Sequence, residues 1–158
     1  MNETLTADKG KVLEAYNKAK SPRKVMLENL FGIKTFHPDV KARIKTFDDV
    51  LAELQITPRD FAQQCTGLSA DEIAYRKVKY IVQVFNEGWT PDWSNSNEYK
   101  YVPYFKMGSP PGGGFSCGAC GFWGTASNVG SRLCFKSSDL AKHAGKLFET
   151  IYKDFLTL

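Results

Sequence analysis

The sequence predicts an α+β protein: an N-terminal helical cluster, then a three-stranded antiparallel meander capped by a C-terminal helix. Three observations predict it. Up to Gly88, apolar residues recur at helical spacing between cap signals. From Trp89 the chain turns aromatic and strand-like, and holds all three tryptophans (Trp89, Trp93, Trp123). Ser137-Ser138-Asp139 then opens a long amphipathic helix. Residues 1–158 read as one domain, with residues 1–88 as the helical part and 89–158 as the aromatic-rich sheet plus helix.

The elements follow in order. Residues 8–20 predict a helix, because Val12, Ala15, Tyr16 and Ala19 form an i, i+3, i+4, i+7 stripe. Ser21-Pro22 ends it and starts a second, with proline in the first turn, where its missing N–H costs nothing. Val25, Met26, Leu27, Leu30 and Phe31 are the apolar run of that helix, and Gly32 stops it. Thr46 with Asp49, then Thr57-Pro58 with Asp60, cap two short helices. Ser69-x-x-Glu72 is a capping box opening a helix over about residues 70–87, and Gly88 closes it.

The run Tyr99 to Met107 alternates as a strand does, but Pro103 demotes it to an edge strand or a bulge. Gly108 to Gly114 reads as a flexible connection. Residues 115–123 and 131–136 predict two further strands around a Gly124–Gly130 loop. Leu140, Ala144, Leu147, Phe148, Ile151 and Phe155 share one face of the last helix, the apolar lid that a three-stranded sheet requires.

Composition bounds the function. A content of 42% hydrophobic and 24% charged residues is that of a globular chain. The first residues, Met1 to Thr4, lack the basic and apolar regions of a leader, and no apolar run reaches membrane-spanning length. The expectation is a cytoplasmic protein with no membrane partner, whose four cysteines are reduced. Charge is uneven. Lys9 to Lys45 holds ten basic and three acidic residues, a local +7 within a net +4, which leaves −3 for the remainder. Lys18, Lys20, Arg23 and Lys24 are expected to form one basic face, suited to phosphate or an acidic partner. The plainer alternative is a solvated helix face.

Cys117-Gly118-Ala119-Cys120, with Cys134 and His143, gives C-x2-C-x13-C-x8-H, and thiolate and imidazole are zinc ligands. Two features oppose a zinc site. The second half lacks a compact ligand pair, and in a straight strand residues i and i+3 point to opposite faces. Structural thiols are the simpler reading. A thioredoxin-like redox pair would need the motif at a helix N-terminus after a strand. No context supports a Cys134/His143 nucleophile pair. Residues 50–62 follow a helix-turn-helix rhythm, but Leu51 and Gln55 stand where smaller residues are usual and Asp60 would repel phosphate, so a plain αα-hairpin is preferred. Gly112-Gly113-Gly114 lacks the lysine and the helix of a phosphate loop. The sequence contains no complete catalytic motif and calls for no cofactor.

The aromatic set is the strongest pointer to function. Trp89, Trp93, Tyr99, Tyr101, Tyr104, Phe122 and Trp123 exceed what one small sheet face can bury. Trp93, Tyr101, Tyr104 and Trp123 are expected to be partly exposed. Beside Lys100, Lys106, Arg132 and Lys136, such rings can stack on bases while the cations meet phosphate. They can equally anchor a protein partner. The plain alternative is that most of them build the core.

Four segments carry a resemblance: Asn86–Trp93 (NEGWTPDW), Asn97–Phe105 (NEYKYVPYF), Val129–Ser137 (VGSRLCFKS) and Ala141-x-x-Ala144-Gly145-Lys146-x-Phe148. With Arg43 to Asp49 they resemble a family of small uncharacterised proteins of phages, prophages and mobile elements in gut bacteria. The resemblance spans about residues 43–158. The Cys117/Cys120 strand departs from the family pattern, which is more aromatic there, and this weakens a zinc reading. The resemblance implies a phage-accessory context and transfers no catalytic residue. The expected function is therefore a non-enzymatic binding protein, contacting nucleic acid through the basic segment and exposed aromatics. The alternatives are a protein-interaction module, such as a virion or host-modulating component, and a small zinc protein.

Overall fold

The computed structural model describes residues 6–108 and 114–158, so the expected connection at Gly108 to Gly114 lies mostly outside the described residues. The chain is α+β and divides into two compact units, the boundary falling between Arg43 and Ile44.

The first unit holds α1 (Lys9–Lys18), α2 (Ser21–Phe31), α3 (Ile33–Phe36) and α4 (Val40–Arg43). The Asp8 side chain caps α1 by accepting from the Lys11 amide at 2.9 Å. Tyr16 is the one buried residue of α1, and α2 buries none. The joint between the helices is polar and aromatic. The Tyr16 hydroxyl donates to Glu28 and lies 2.9 Å from His37 Nε2, while its ring stacks on Phe36 at 4.1 Å. The bond to Glu28, then burial, pushes the Tyr16 phenol up to about 12.

The second unit begins with α5 (Phe47–Glu53), α6 (Pro58–Gln64) and α7 (Ala70–Asn86). Their caps are those the sequence predicts. Thr46 and Asp49 bond reciprocally, at 3.2 and 2.8 Å, and Thr57 accepts from the Asp60 amide at 3.1 Å. At the end of α7 the chain turns left-handed, with Glu87 at φ +50° and Gly88 at φ +88°. Leu51, Phe61 and Cys65 form a small core between these helices, joined by Phe47 and Tyr80. The main core centres on Phe85, whose ring meets Phe135 and Phe148 edge-on at 6.4 and 6.1 Å.

The sheet corrects the expected meander. Among the described residues it has two antiparallel strands, β1 (Lys100–Lys106) and β2 (Ser116–Trp123), paired from Lys100↔Trp123 to Lys106↔Ser116 with a bulge at Gly118. The third segment makes a single bridge: Phe135 and Tyr101 exchange both backbone bonds, at 3.0 and 2.7 Å. The reason is local. Residues 101, 103 and 105 present their backbone groups to that edge, and Pro103 has no N–H to give. On the other side, Leu133 N–H is spent on Gly130 O (2.8 Å), while the Asn86 side chain takes Cys134 O (2.8 Å) and Lys136 N–H (3.1 Å).

The C-terminal helix is also two helices, α8 (Ser138–Leu147) and α9 (Glu149–Thr157), joined at Phe148, where φ is −110° and ψ is 29°. Ser137 caps α8 through the Leu140 amide. Close packing of α8 on the hairpin depends on Gly145: a Cβ there would lie 2.7 Å from Cys117 Sγ and 2.8 Å from Pro103 Cβ.

Candidate binding surface

The hairpin carries a cluster of exposed rings. Tyr101 and Phe122 are direct cross-strand partners, with centroids 6.2 Å apart, and Tyr99 at the strand entry meets Phe122 edge-on at 4.9 Å and Tyr101 at 6.4 Å. Tyr99 is 49% exposed, Phe122 58% and Tyr104 63%, while Tyr101 is half-buried. Tyr99 and Phe122 belong to the aromatic set read from the sequence but not to the four rings it singled out. Cross-strand register, which the sequence does not spell out, is what brings them together.

Trp93 and Trp123 sit elsewhere. Both are half-buried. Trp123 lines an apolar cavity, and the Trp93 ring covers the Lys100 ammonium at 5.4 Å. Lys100 itself is a correction. It was expected beside the exposed rings as a phosphate-neutralising cation, but its exposure is 0%. Its Nζ donates to the backbone carbonyls of Asp92, Asn95 (3.1 Å) and Glu98 (2.7 Å), and lies 3.3 Å from Glu98 Oε1. A fully buried ammonium is tolerated only when so paired. Glu98 completes the knot by accepting from the Asp92 amide at 2.8 Å and from Trp89 Nε1 at 3.3 Å. The Asp92 amide first, then Lys100 and Trp89, hold the Glu98 carboxyl below its ordinary value.

The cations left at the surface of this unit include Lys106 and Arg132, both exposed, while Lys136 pairs with Glu87 at 3.4 Å. In the first unit, the four basic residues read from the sequence cluster at the α1–α2 junction. Lys18 ends α1 and pairs with Glu14; Lys20 is the N-cap residue of α2; Arg23 and Lys24 lie in its first turn. Lys24 Nζ sits 4.9 Å over the Tyr16 ring. Cations at a helix N-terminus oppose the helix dipole, so this cluster does not stabilise α2.

The cysteines do not assemble. All four are unbridged, and among the described residues no group of three or more His, Cys, Asp or Glu side chains can hold a metal. The straight-strand argument needs correcting, because the Gly118 bulge pairs Cys120 with Pro103 and Cys117 with Phe105, two positions on one face of β1. Cys134 lies apart, 1% exposed beside Phe135, and the His143 ring packs 5.9 Å from Phe85. Among the described residues, Cys117, Cys120, Cys134 and His143 thus form no metal-holding group. Burial pushes both the Cys117 and Cys134 thiols up, with Glu149 adding to the rise at Cys117, so neither is an activated nucleophile. No helix among the described residues is long and apolar enough to cross a membrane. Comparison with protein-family models, curated proteins and solved structures found no match.

Proposed function

We propose that the protein is a non-enzymatic, cytoplasmic accessory protein of a phage or mobile element. It binds single-stranded nucleic acid through the exposed rings of the hairpin and the basic α1–α2 junction. The observation that carries this reading is the Tyr99/Tyr101/Phe122 cluster, in which the rings touch one another yet Tyr99 and Phe122 stay about half exposed. Exposed contiguous rings offer a π-face to any base, and such stacking contributes about 1–3 kcal/mol per base. Lys106 and Arg132 in the same unit, and Lys18, Lys20, Arg23 and Lys24 in the first, supply positive charge for phosphate.

A second reading, a protein-interaction module, is favoured by the burial of Lys100, which takes one cation away from the aromatic surface. It is favoured also by the exposed apolar residues of α2, Val25, Met26 and Leu30.

The test is fluorescence anisotropy of labelled single-stranded and duplex oligonucleotides at about 50 and 200 mM salt, the range where counterion release dominates. Single-strand binding that weakens steeply with salt is expected, and Tyr99→Ala or Phe122→Ala should each reduce affinity about tenfold. Absence of binding at both salts would leave the protein-partner reading.

A further inference from the structure

The second helix of the first unit is turned inside out. A helix on a folded body normally turns its apolar stripe to the core and its charged face to water. In α2, Lys24, Leu27 and Glu28 share the half-buried inner face. There Glu28 accepts from the Tyr16 hydroxyl, and Lys24 Nζ lies 4.9 Å over the Tyr16 ring. Pro22, Val25, Met26, Asn29 and Leu30 follow at i, i+3, i+4, i+7 and i+8 along the opposite, exposed face. Val25 is 52% exposed, Met26 53% and Leu30 68%. Phe31 at the end of α2 and Ile33 at the start of α3 extend the exposed apolar surface.

The charge around this stripe says what chemistry covers it. From Lys20 to Phe36 four basic residues, Lys20, Arg23, Lys24 and Lys34, stand against the single acid Glu28, a balance of +3, and that acid is turned in toward Tyr16. Lys20, Arg23 and Lys34 are exposed and flank the stripe at its two ends. A second copy of the chain fits poorly. Pairing α2 with α2 in either direction brings basic ends together, with no outward acid in the segment to meet them. A protein groove also fits less well, because interface anchors are chiefly Trp, Tyr and Arg, with Leu and Val under-represented. The stripe is aliphatic and holds no Trp or Tyr.

We propose that α2 docks on an anionic lipid surface, lying in the plane of the interface. Val25, Met26 and Leu30 enter the boundary between headgroups and acyl chains, while Lys20, Arg23 and Lys34 meet the headgroup phosphates. The long stems of these basic side chains let the charges reach the headgroups while the stripe is buried. The expectation of no membrane partner rests on the lack of a spanning segment, and a helix that lies in the interface needs none. The inference goes beyond the nucleic-acid reading and does not rest on it, although Lys20 and Arg23 serve in both.

The test is sedimentation of the full-length protein, free of nucleic acid, with vesicles of phosphatidylcholine alone or of equal parts phosphatidylcholine and phosphatidylglycerol. The parent is expected to bind the phosphatidylglycerol vesicles and not those of phosphatidylcholine alone. Met26→Gln with Leu30→Gln should weaken binding about tenfold, through lost apolar burial. Lys20→Gln with Arg23→Gln should weaken it about tenfold through lost charge. Met26 and Leu30 are exposed, so their substitution should leave the melting temperature unchanged. Val25→Gln alone is the second stripe variant, with a smaller loss in the same direction. The Met26→Gln, Leu30→Gln variant should bind oligonucleotides as the parent does. Failure of oligonucleotide binding leaves the vesicle result standing, so the two readings fail separately. The proposal is overturned if the folded parent does not sediment with phosphatidylglycerol vesicles, which would assign the stripe to a protein partner. It is overturned also if the parent binds both kinds of vesicle equally. Unchanged affinity of the folded stripe variants would overturn it too, by reducing the contact to charge alone.

Discussion

Lys100 is the residue on which the 92–98 loop closes. Three backbone carbonyls, one carboxylate and one indole face converge on its ammonium, which is out of contact with solvent. Replacing it with methionine keeps the length of the stem but leaves Glu98 and the carbonyls unpaired. Lys100→Met should therefore destabilise the protein by about 3–5 kcal/mol, the cost of breaking a buried pair from one side. Urea unfolding followed by tryptophan fluorescence would measure it, and a loss below 1 kcal/mol, the level of an exposed pair, would show that the knot is solvated. The same site sets an acid limit. Glu98 is held below its ordinary value of 4.5, so its contribution is complete above that pH and is lost as the pH falls through the lower folded-state value. The urea midpoint should fall as the pH drops below about 4.5, and Glu98→Gln should flatten that fall. A parallel decline in both proteins would assign the acid sensitivity to other carboxylates. The burial of Lys100 was not legible in the sequence. In an alternating run a lysine reads as outward, and its carbonyl partners exist only once Asp92 to Glu98 has folded back over it.

At the scale of elements, the α2 start, the caps of α5, α6 and α7, and the Gly88 stop were legible, because caps and stops act within a few residues of their own sequence. The third strand was misread because its fate is decided far away. Asn86, at the end of α7, captures the backbone of residues 134 and 136, and Pro103 ends the shared edge after one bridge. Two aromatic-rich segments of the sequence coincide with such joints. NEGWTPDW and NEYKYVPYF build the Lys100 knot, and Gly145 lets α8 meet the hairpin. Gly145→Ala tests the α8 contact. In an open helix alanine would stabilise by about 1 kcal/mol. Here its Cβ would sit 2.8 Å from a proline ring carbon and 2.7 Å from a buried sulfur. The clash should win, with a net loss of about 1–3 kcal/mol in thermal or urea unfolding. A gain in stability would show that α8 lies further from β1.

Across the whole molecule, charge and structure divide at the same place. Residues 44–158 carry twelve basic and twelve acidic side chains, so the net +4 belongs entirely to residues 1–43. The structural division falls between Arg43 and Ile44, although aromatic patterning alone places the change of character at residue 89. That contrast has a physical source: residues 44–88 are helical like those before them, but α7 packs against α9 in one core with the sheet elements, and periodicity does not reveal which helices share a core. A neutral body bearing exposed rings and a separate basic unit should bind nucleic acid by two separable contributions. Stacking is insensitive to salt, whereas phosphate neutralisation is not. Residues 44–158 expressed alone should therefore unfold cooperatively, with Phe85 and its neighbours in an intact core. They should also retain a weak single-strand affinity that depends on Tyr99 and Phe122 and changes little between about 50 and 200 mM salt. The full chain should bind more tightly at low salt and lose that advantage at high salt. Equal salt slopes for the two proteins would show that the α1–α2 junction makes no phosphate contacts and leave the aromatic cluster as the nucleic-acid contact.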